Sequence, residues 1–146
     1  HRVQNFSMKS YRYVEAGPMF YLPKPEHMRV QTGRPGHYTF EEMDLDTALE
    51  CIEIMKAVYD NAYINYQRLL DKGLCMEQAR FVLPTGLFSK FYASGSLRDW
   101  MNFLVARADS HAQWEIQDPA YQIEDILTKE YPITMAIWKE YGRRMV

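Results

Sequence analysis

The apolar residues Ala48, Ile52, Met55, Tyr59, Ala62, Tyr66 and Leu69 recur at spacings of four and three, which draws a single seam along one face of a helix. Just upstream, Thr39-Phe40-Glu41-Glu42 has the Ser/Thr-x-x-Glu form of a capping box, in which a hydroxyl and a carboxylate satisfy orphan backbone donors at a helix start. A long helix is therefore expected from this box to about Lys72, closed by Gly73. Its seam packs against another helix, in the same chain or in a partner's, and core packing explains it better than a cofactor role. A chain of 146 residues is long enough to bury roughly two thirds of its unfolded surface, so one domain, residues 1–146, is expected.

Around this helix the chain is divided into shorter pieces. Tyr11 to Leu22 mixes Tyr, Val, Phe and Met with Gly17-Pro18, which reads as a strand, a turn and a second extended segment ending at Pro23. Pro23, Pro25, Gly33, Pro35 and Gly36 put enough breakers into residues 23–38 for a surface loop. Met76 to Leu83 reads as a short helix stopped by Pro84, because proline lacks an amide hydrogen and disfavours helix in the residue before it. Leu87 to Ala93 reads as extended. Ser96 is the expected N-cap of a helix from Leu97 to about Arg107, and Asp109 or Ser110 that of the next. Asp118-Pro119 falls inside this next helix, which either kinks there or restarts with Asp118 as cap and Pro119 at the first helical position. Tyr131-Pro132 ends it, and a last helix covers roughly Ile133 to Gly142.

Charge and cysteine usage exclude several function classes. Lys plus Arg number 17 and Asp plus Glu 19, for a formal net charge of −2. That balance argues against coating a nucleic acid polymer or a membrane surface, so any phosphate must be met locally. Cys51 and Cys75 have no CxxC or Cys/His ligand spacing, which points away from a disulfide framework or structural zinc and towards a reducing, cytoplasmic setting. His1, His27, His37 and His111 lack a helical His-x-x-x-His or similar spacing, and no metal is expected. No apolar run approaches the roughly 20 residues that span a bilayer, and the start carries no signal-peptide pattern.

The stretch from Arg80 to Gln117 concentrates polar, anion-binding side chains in an otherwise apolar setting. Arg98 and Asn102 are four apart on the expected helix and so share a face, beside a helix N-terminus whose free amides also favour anions. By spacing alone the pair reads equally as a solvated face. Arg107 at the helix end can simply neutralise the C-terminus, and Arg12 reads as a surface residue of a strand.

The Arg80 to Gln117 stretch, His1-Arg2 and the spaced Ser10, Arg12 and Tyr13 together resemble the C-terminal two thirds of the flavin-dependent thymidylate synthases. The family signature is Arg-His-Arg, seven variable residues, then Ser; here the chain opens on the His, and the resemblance implies further residues upstream. It implies a helix-rich α+β domain with a small antiparallel sheet, one subunit of a homotetramer whose active sites are shared between subunits. The implied reaction converts dUMP to dTMP, with FAD as cofactor, methylenetetrahydrofolate as carbon donor and NADPH as reductant. Carried over residue by residue, His1, Arg2, Arg98 and Asn102 hold FAD. Ser10, Arg12 and Arg80 bind the dUMP phosphate, and Arg107 contacts the uracil ring and helps activate C5. Guanidinium forks suit phosphate oxygens, and a guanidinium stabilises charge developing on a pyrimidine. His111 is a satisfied polar residue in preference to part of the flavin wall. The flavin route needs no thiolate nucleophile, in keeping with Cys51 and Cys75 lying outside a Pro-Cys-His context.

Two positions depart from the family. Ser7-Met8 stands where the family usually has Asn-Glu, and Ser96 where it has the Asn of an Asn-Leu-Arg flavin contact, leaving a hydroxyl with one hydrogen bond to give. These departures define an alternative, a catalytically impaired flavin- and nucleotide-binding module of the same fold. A third possibility is a helical assembly domain that uses the 48–69 seam and binds no ligand.

Overall fold

The structure, a computed structural model, describes residues 4–142. It divides into two compact units, residues 8–91 and residues 4–7 with 92–142. Helices dominate both, and the strands are short, as expected of the α+β class.

In the 8–91 unit the central element is helix α1, Leu45–Asp71. The seam is where the periodicity puts it: Ala48 and Tyr66 are fully buried, and Ile52, Met55, Tyr59, Ala62 and Leu69 are half-buried. The helix starts differently from the sequence reading. Asp44 is the N-cap, its carboxylate accepting from the Asp46 and Thr47 amides; hydrogen bonding from the Thr47 side chain, and then from these amides, lowers its pKa below the ordinary 3.8. Thr39 to Glu42 lies instead in strand β3, His37–Glu42, which pairs antiparallel with β2, Arg29–Arg34. The breaker-rich residues are therefore no simple loop: Pro35-Gly36 makes the two-residue turn of a hairpin, Pro35 fixing its own φ and Gly36 adopting φ +85°. Thr39, expected as a cap, spends its hydroxyl on Thr32 across the hairpin at 2.6 Å.

Before the hairpin, the two extended segments expected from Tyr11 to Leu22 do not form. Tyr11 to Tyr13 is a turn, and only Phe20 makes a bridge, to Leu87. Phe20 and Ala16 anchor this segment on α1. Phe20 stacks on Tyr59 at 5.0 Å, while Ala16 is held by the two tyrosines that follow, its amide donating to the Tyr66 hydroxyl at 3.1 Å and its carbonyl accepting from Tyr63. Burial, with the nearby Glu15 charge, raises the Tyr63 pKa. Gly86 is required to be glycine, since a Cβ there would stand 2.6 Å from the Tyr59 hydroxyl. Helix α2, Met76–Ala79, continues as a 3-10 turn through Val82 and stops ahead of Pro84. Ala79 is buried with Ala16 and Tyr66, which fixes this short helix to α1.

In the other unit, β1 (Gln4–Met8) pairs with β4 (Phe91–Gly95). Three helices follow. Helix α3, Leu97–Arg107, begins with Ser96 as N-cap, and α4 is Trp114–Glu130. Helix α5, Pro132–Ile137, runs into a π-helical turn, Trp138–Gly142. Helix α4 is capped by Gln113, not by Asp109 or Ser110, and it passes through Pro119 without restarting at Asp118. Leu104, Ala108, Ala120, Met135 and Trp138 form the core of these helices, and the nearly buried Glu124 is neutralised by Lys139 at 3.1 Å.

Candidate functional site

Of the three residues assigned to phosphate binding, Arg12 and Arg80 meet at Glu77 in the 8–91 unit, and Ser10 bonds to the Arg12 main chain. Ser10 opens the turn that replaces the expected strand. Its hydroxyl accepts from the Arg12 amide at 3.3 Å, and its carbonyl from the Tyr13 amide. This places Arg12 on the outside of the turn, with its guanidinium carbon 5.5 Å from the centre of the Tyr13 ring and Nη2 2.8 Å from the Glu77 carboxylate. Arg80 reaches the same residue from the other side: its Nε donates to the Glu77 main-chain carbonyl at 3.2 Å. Two guanidinium groups thus meet one acidic residue, Arg12 at its carboxylate and Arg80 at its main-chain carbonyl. An oxyanion placed at the Glu77 carboxylate would meet the same Arg12 donors, which is how a guanidinium binds phosphate. Glu77 was missed by sequence reasoning. Its spacing of three from Arg80 on a helix was a visible local signal, but its pairing with Arg12, 65 positions away, was not.

The residues assigned to flavin and to C5 activation lie on α3. Its start is secured by a capping box, in which Ser96 Oγ accepts from the Asp99 amide and Asp99 returns a bond from the Ser96 amide. At about 100° per residue, Arg98 and Asn102 lie some 40° apart on the helix surface, and both are exposed. Arg107 lies about 140° further round from Asn102. It flanks the face that buries Leu104 and Ala108, and is half-buried accordingly. The helix therefore joins Arg98 with Asn102 and turns Arg107 to another side. Among the described residues, none of the three has a hydrogen bond or ion pair. The buried amide nitrogen of Gln4, whose side chain lies against Gly95, also lacks a partner there. Unspent donors on an exposed helix face fit a cofactor rich in acceptors such as FAD. His1 and Arg2, also assigned to FAD, lie outside the described residues.

The loop after Arg107 is held from within. Asp109 accepts from the His111 amide and meets its ring nitrogen at 2.8 Å, so His111 is a satisfied polar residue, as read from the sequence. The side-chain amide of the buried Gln117 donates to the Ser110 and Ala112 carbonyls. Met8, in the place of the family's Glu, is 64% exposed. Among the described residues no helix is long and apolar enough to cross a membrane.

The chain is similar to known proteins over nearly its whole length. A flavin-dependent thymidylate synthase from Thermosipho africanus is 34% identical over 142 residues, covering 97% of this chain and 61% of the relative. That of Tropheryma whipplei strain TW08/27 is 37% identical over 150 residues, covering 98% and 62%. Among solved structures, the UMP/dUMP methylase PolB from Streptomyces cacaoi, bound with 5-Br UMP, superposes with a TM-score of 0.92 at 35% identity. It covers 97% of this chain and 66% of that one. The chain thus spans about six tenths of the length of the curated relatives it matches. The family model described as thymidylate synthase complementing protein matches residues 1–133, and the chain belongs to this family.

Proposed function

We propose that the protein is a flavin-dependent thymidylate synthase that methylates dUMP at C5, with FAD as cofactor, methylenetetrahydrofolate as carbon donor and NADPH as reductant. The observation that carries this reading is the meeting of Arg12 and Arg80 at Glu77, with Ser10 bonded to the Arg12 main chain, in a chain of this family. Ser10, Arg12 and Arg80 bind the dUMP phosphate. His1, Arg2, Arg98 and Asn102 hold FAD, whose contribution when bound is the electrons that reduce the transferred carbon to a methyl group. The Arg107 guanidinium stabilises the negative charge that develops on the pyrimidine. Its half-burial strengthens that effect by lowering the local dielectric.

The working form is a cytoplasmic homotetramer. Apolar side chains exposed on α1, including Leu45, Ile54, Val58 and Ile64, support an assembly that covers them, as do Val30, Tyr38 and Phe40 on the hairpin. A hairpin of two strands exposed on both faces is itself marginal without such cover.

The test is release of tritium from dUMP labelled at C5 by the full gene product, with methylenetetrahydrofolate and NADPH, with and without FAD. FAD-dependent release is expected. A folded protein that binds both FAD and dUMP and releases none would instead be the catalytically impaired binding module. Arg107→Ala should lower kcat by about 10²-fold or more while leaving the circular dichroism spectrum unchanged, and full activity in that variant removes its assigned role. A second reading, that UMP is also a substrate, is favoured by the likeness to a protein described as a UMP/dUMP methylase. Release from C5-labelled UMP at a comparable rate would establish it.

A further inference from the structure

Lys9 and Lys90 meet on one side of the 8–91 unit. The Lys9 amide donates to the Lys90 carbonyl at 2.9 Å, and the Ser89 hydroxyl donates to the Lys9 carbonyl at 3.4 Å. Both lysines line an open hollow of about 460 Å³, together with Ser89, Tyr11, Met19 and Phe88. Its volume lies within the range of small-molecule sites, roughly 300–1,000 Å³. The Tyr11 hydroxyl donates to the Phe88 carbonyl, which fixes the ring, and the Lys9 ammonium lies 5.8 Å from the ring centre.

Like charges brought side by side on paired segments destabilise the pairing. Arg12, three residues away, has an acidic partner in Glu77. Among the described residues Lys9 and Lys90 have none. The hollow therefore combines two unneutralised ammonium groups and a hydroxyl with an apolar surface made of the Tyr11 ring, Met19 and Phe88, the latter two largely exposed. An anion in the hollow would meet ammonium groups that have no acidic partner among the described residues, and a flat or apolar body attached to it would cover the exposed surface.

We propose that this hollow is a binding site for an organic anion with a flat, apolar body, its carboxylate or phosphate held between Lys9 and Lys90. The site shares no side chain with the Ser10, Arg12 and Arg80 set. Two probes distinguish the source of the anion: p-aminobenzoyl-L-glutamate, an aryl dicarboxylate, and dUMP, a phosphate on a planar base. Calorimetric titration of the folded full gene product is expected to show one of them binding with an affinity that falls about tenfold in Lys9→Met or Lys90→Met. The Lys9→Arg and Lys90→Arg variants should largely retain it.

Loss confined to the aryl dicarboxylate assigns the site to a carboxylate ligand, and loss confined to dUMP assigns it to a phosphate. Affinities for both probes that are unchanged in the double Lys→Met variant overturn the proposal. Should that variant not fold, amide chemical shifts of the protein with both lysines intact decide: shifts at Met19, Ser89 and Lys90 induced by the aryl dicarboxylate, or by dUMP in Arg80→Ala, support the site, and their absence with both probes overturns it. Arg80→Ala serves as the control for the function proposed above. It should weaken dUMP binding and leave the aryl dicarboxylate untouched. A protein that binds the aryl dicarboxylate at the lysines but shows no thymidylate synthesis would retain this site and lose that function.

Discussion

Glu77 occupies the guanidinium of Arg12, so a phosphate arriving at Arg12 must displace a carboxylate already bound there. The pair is well formed at 2.8 Å, yet both partners are open to water, with side-chain exposures of 46% and 51%. An ion pair so exposed contributes about 0.5 kcal/mol, and at most about 1. Glu77→Gln removes the competing charge while leaving the main-chain carbonyl that accepts from Arg80 Nε. If displacing the carboxylate is the whole effect, the dUMP dissociation constant should fall by about two- to threefold, with a ceiling of about fivefold. Relief of repulsion between Glu77 and the phosphate acts in the same direction. The assay is calorimetric titration with dUMP at low and high salt. The gain should be largest at low ionic strength and largely vanish near 1 M, where screening acts over about 3 Å. An unchanged or weaker affinity at low salt, in a variant that keeps its circular dichroism spectrum, would refute competition. It would mean that Glu77 orients Arg12 for the phosphate and does not block it.

Two further predictions concern stability. Tyr66→Phe leaves the ring in the core but deprives the buried Ala16 amide of its acceptor, and should cost about 1–3 kcal/mol, read as a lower denaturant midpoint with an unchanged slope. Asp44 has a folded-state pKa below its ordinary 3.8, so its contribution to the start of α1 is fully present above that ordinary value and is lost as pH falls through the lowered one. Hydrogen exchange at the Asp46 and Thr47 amides should show their protection fading below pH 3.8, and Asp44→Asn should abolish that pH dependence.

Elements specified by local chemistry were legible in the sequence. The α1 seam needs only the helix period, and Gly73, at φ +82°, stops the helix as a residue free to take that conformation. The Ser96 cap needs only its neighbour Asp99. The same local logic misread Thr39, because a Ser/Thr-x-x-Glu pattern specifies four residues and is silent about a competing cross-strand partner, here Thr32. It also misread Tyr11 to Leu22, where Ala16 and Phe20 are met by side chains of α1 some 40 to 50 positions away. The candidate site divides in the same way. Arg98 with Asn102 is a spacing and could be read. The convergence of Arg12 and Arg80 on Glu77, and the meeting of Lys9 with Lys90, are products of tertiary folding that no local pattern encodes.

Ser96 stands where the family has an Asn flavin contact, and the structure shows what that exchange does. The Ser96 hydroxyl accepts from the Asp99 amide at 3.3 Å and gives its only proton to Asp99 Oδ2 at 2.6 Å. Nothing remains to donate outward, so the expectation that serine retains one hydrogen bond for the flavin conflicts with its duty as a cap. Asparagine separates the two tasks: its carbonyl oxygen serves the cap, about as well as a serine does, while its NH2 group stays free. Ser96→Asn should therefore leave thermal stability nearly unchanged and add one donor at the N-terminus of the helix that carries Arg98 and Asn102. A net hydrogen bond of about 0.5–1.5 kcal/mol corresponds to FAD bound about 2- to 10-fold more tightly, measurable by flavin fluorescence quenching. Unchanged FAD affinity in a variant of native stability would show that position 96 does not face the cofactor.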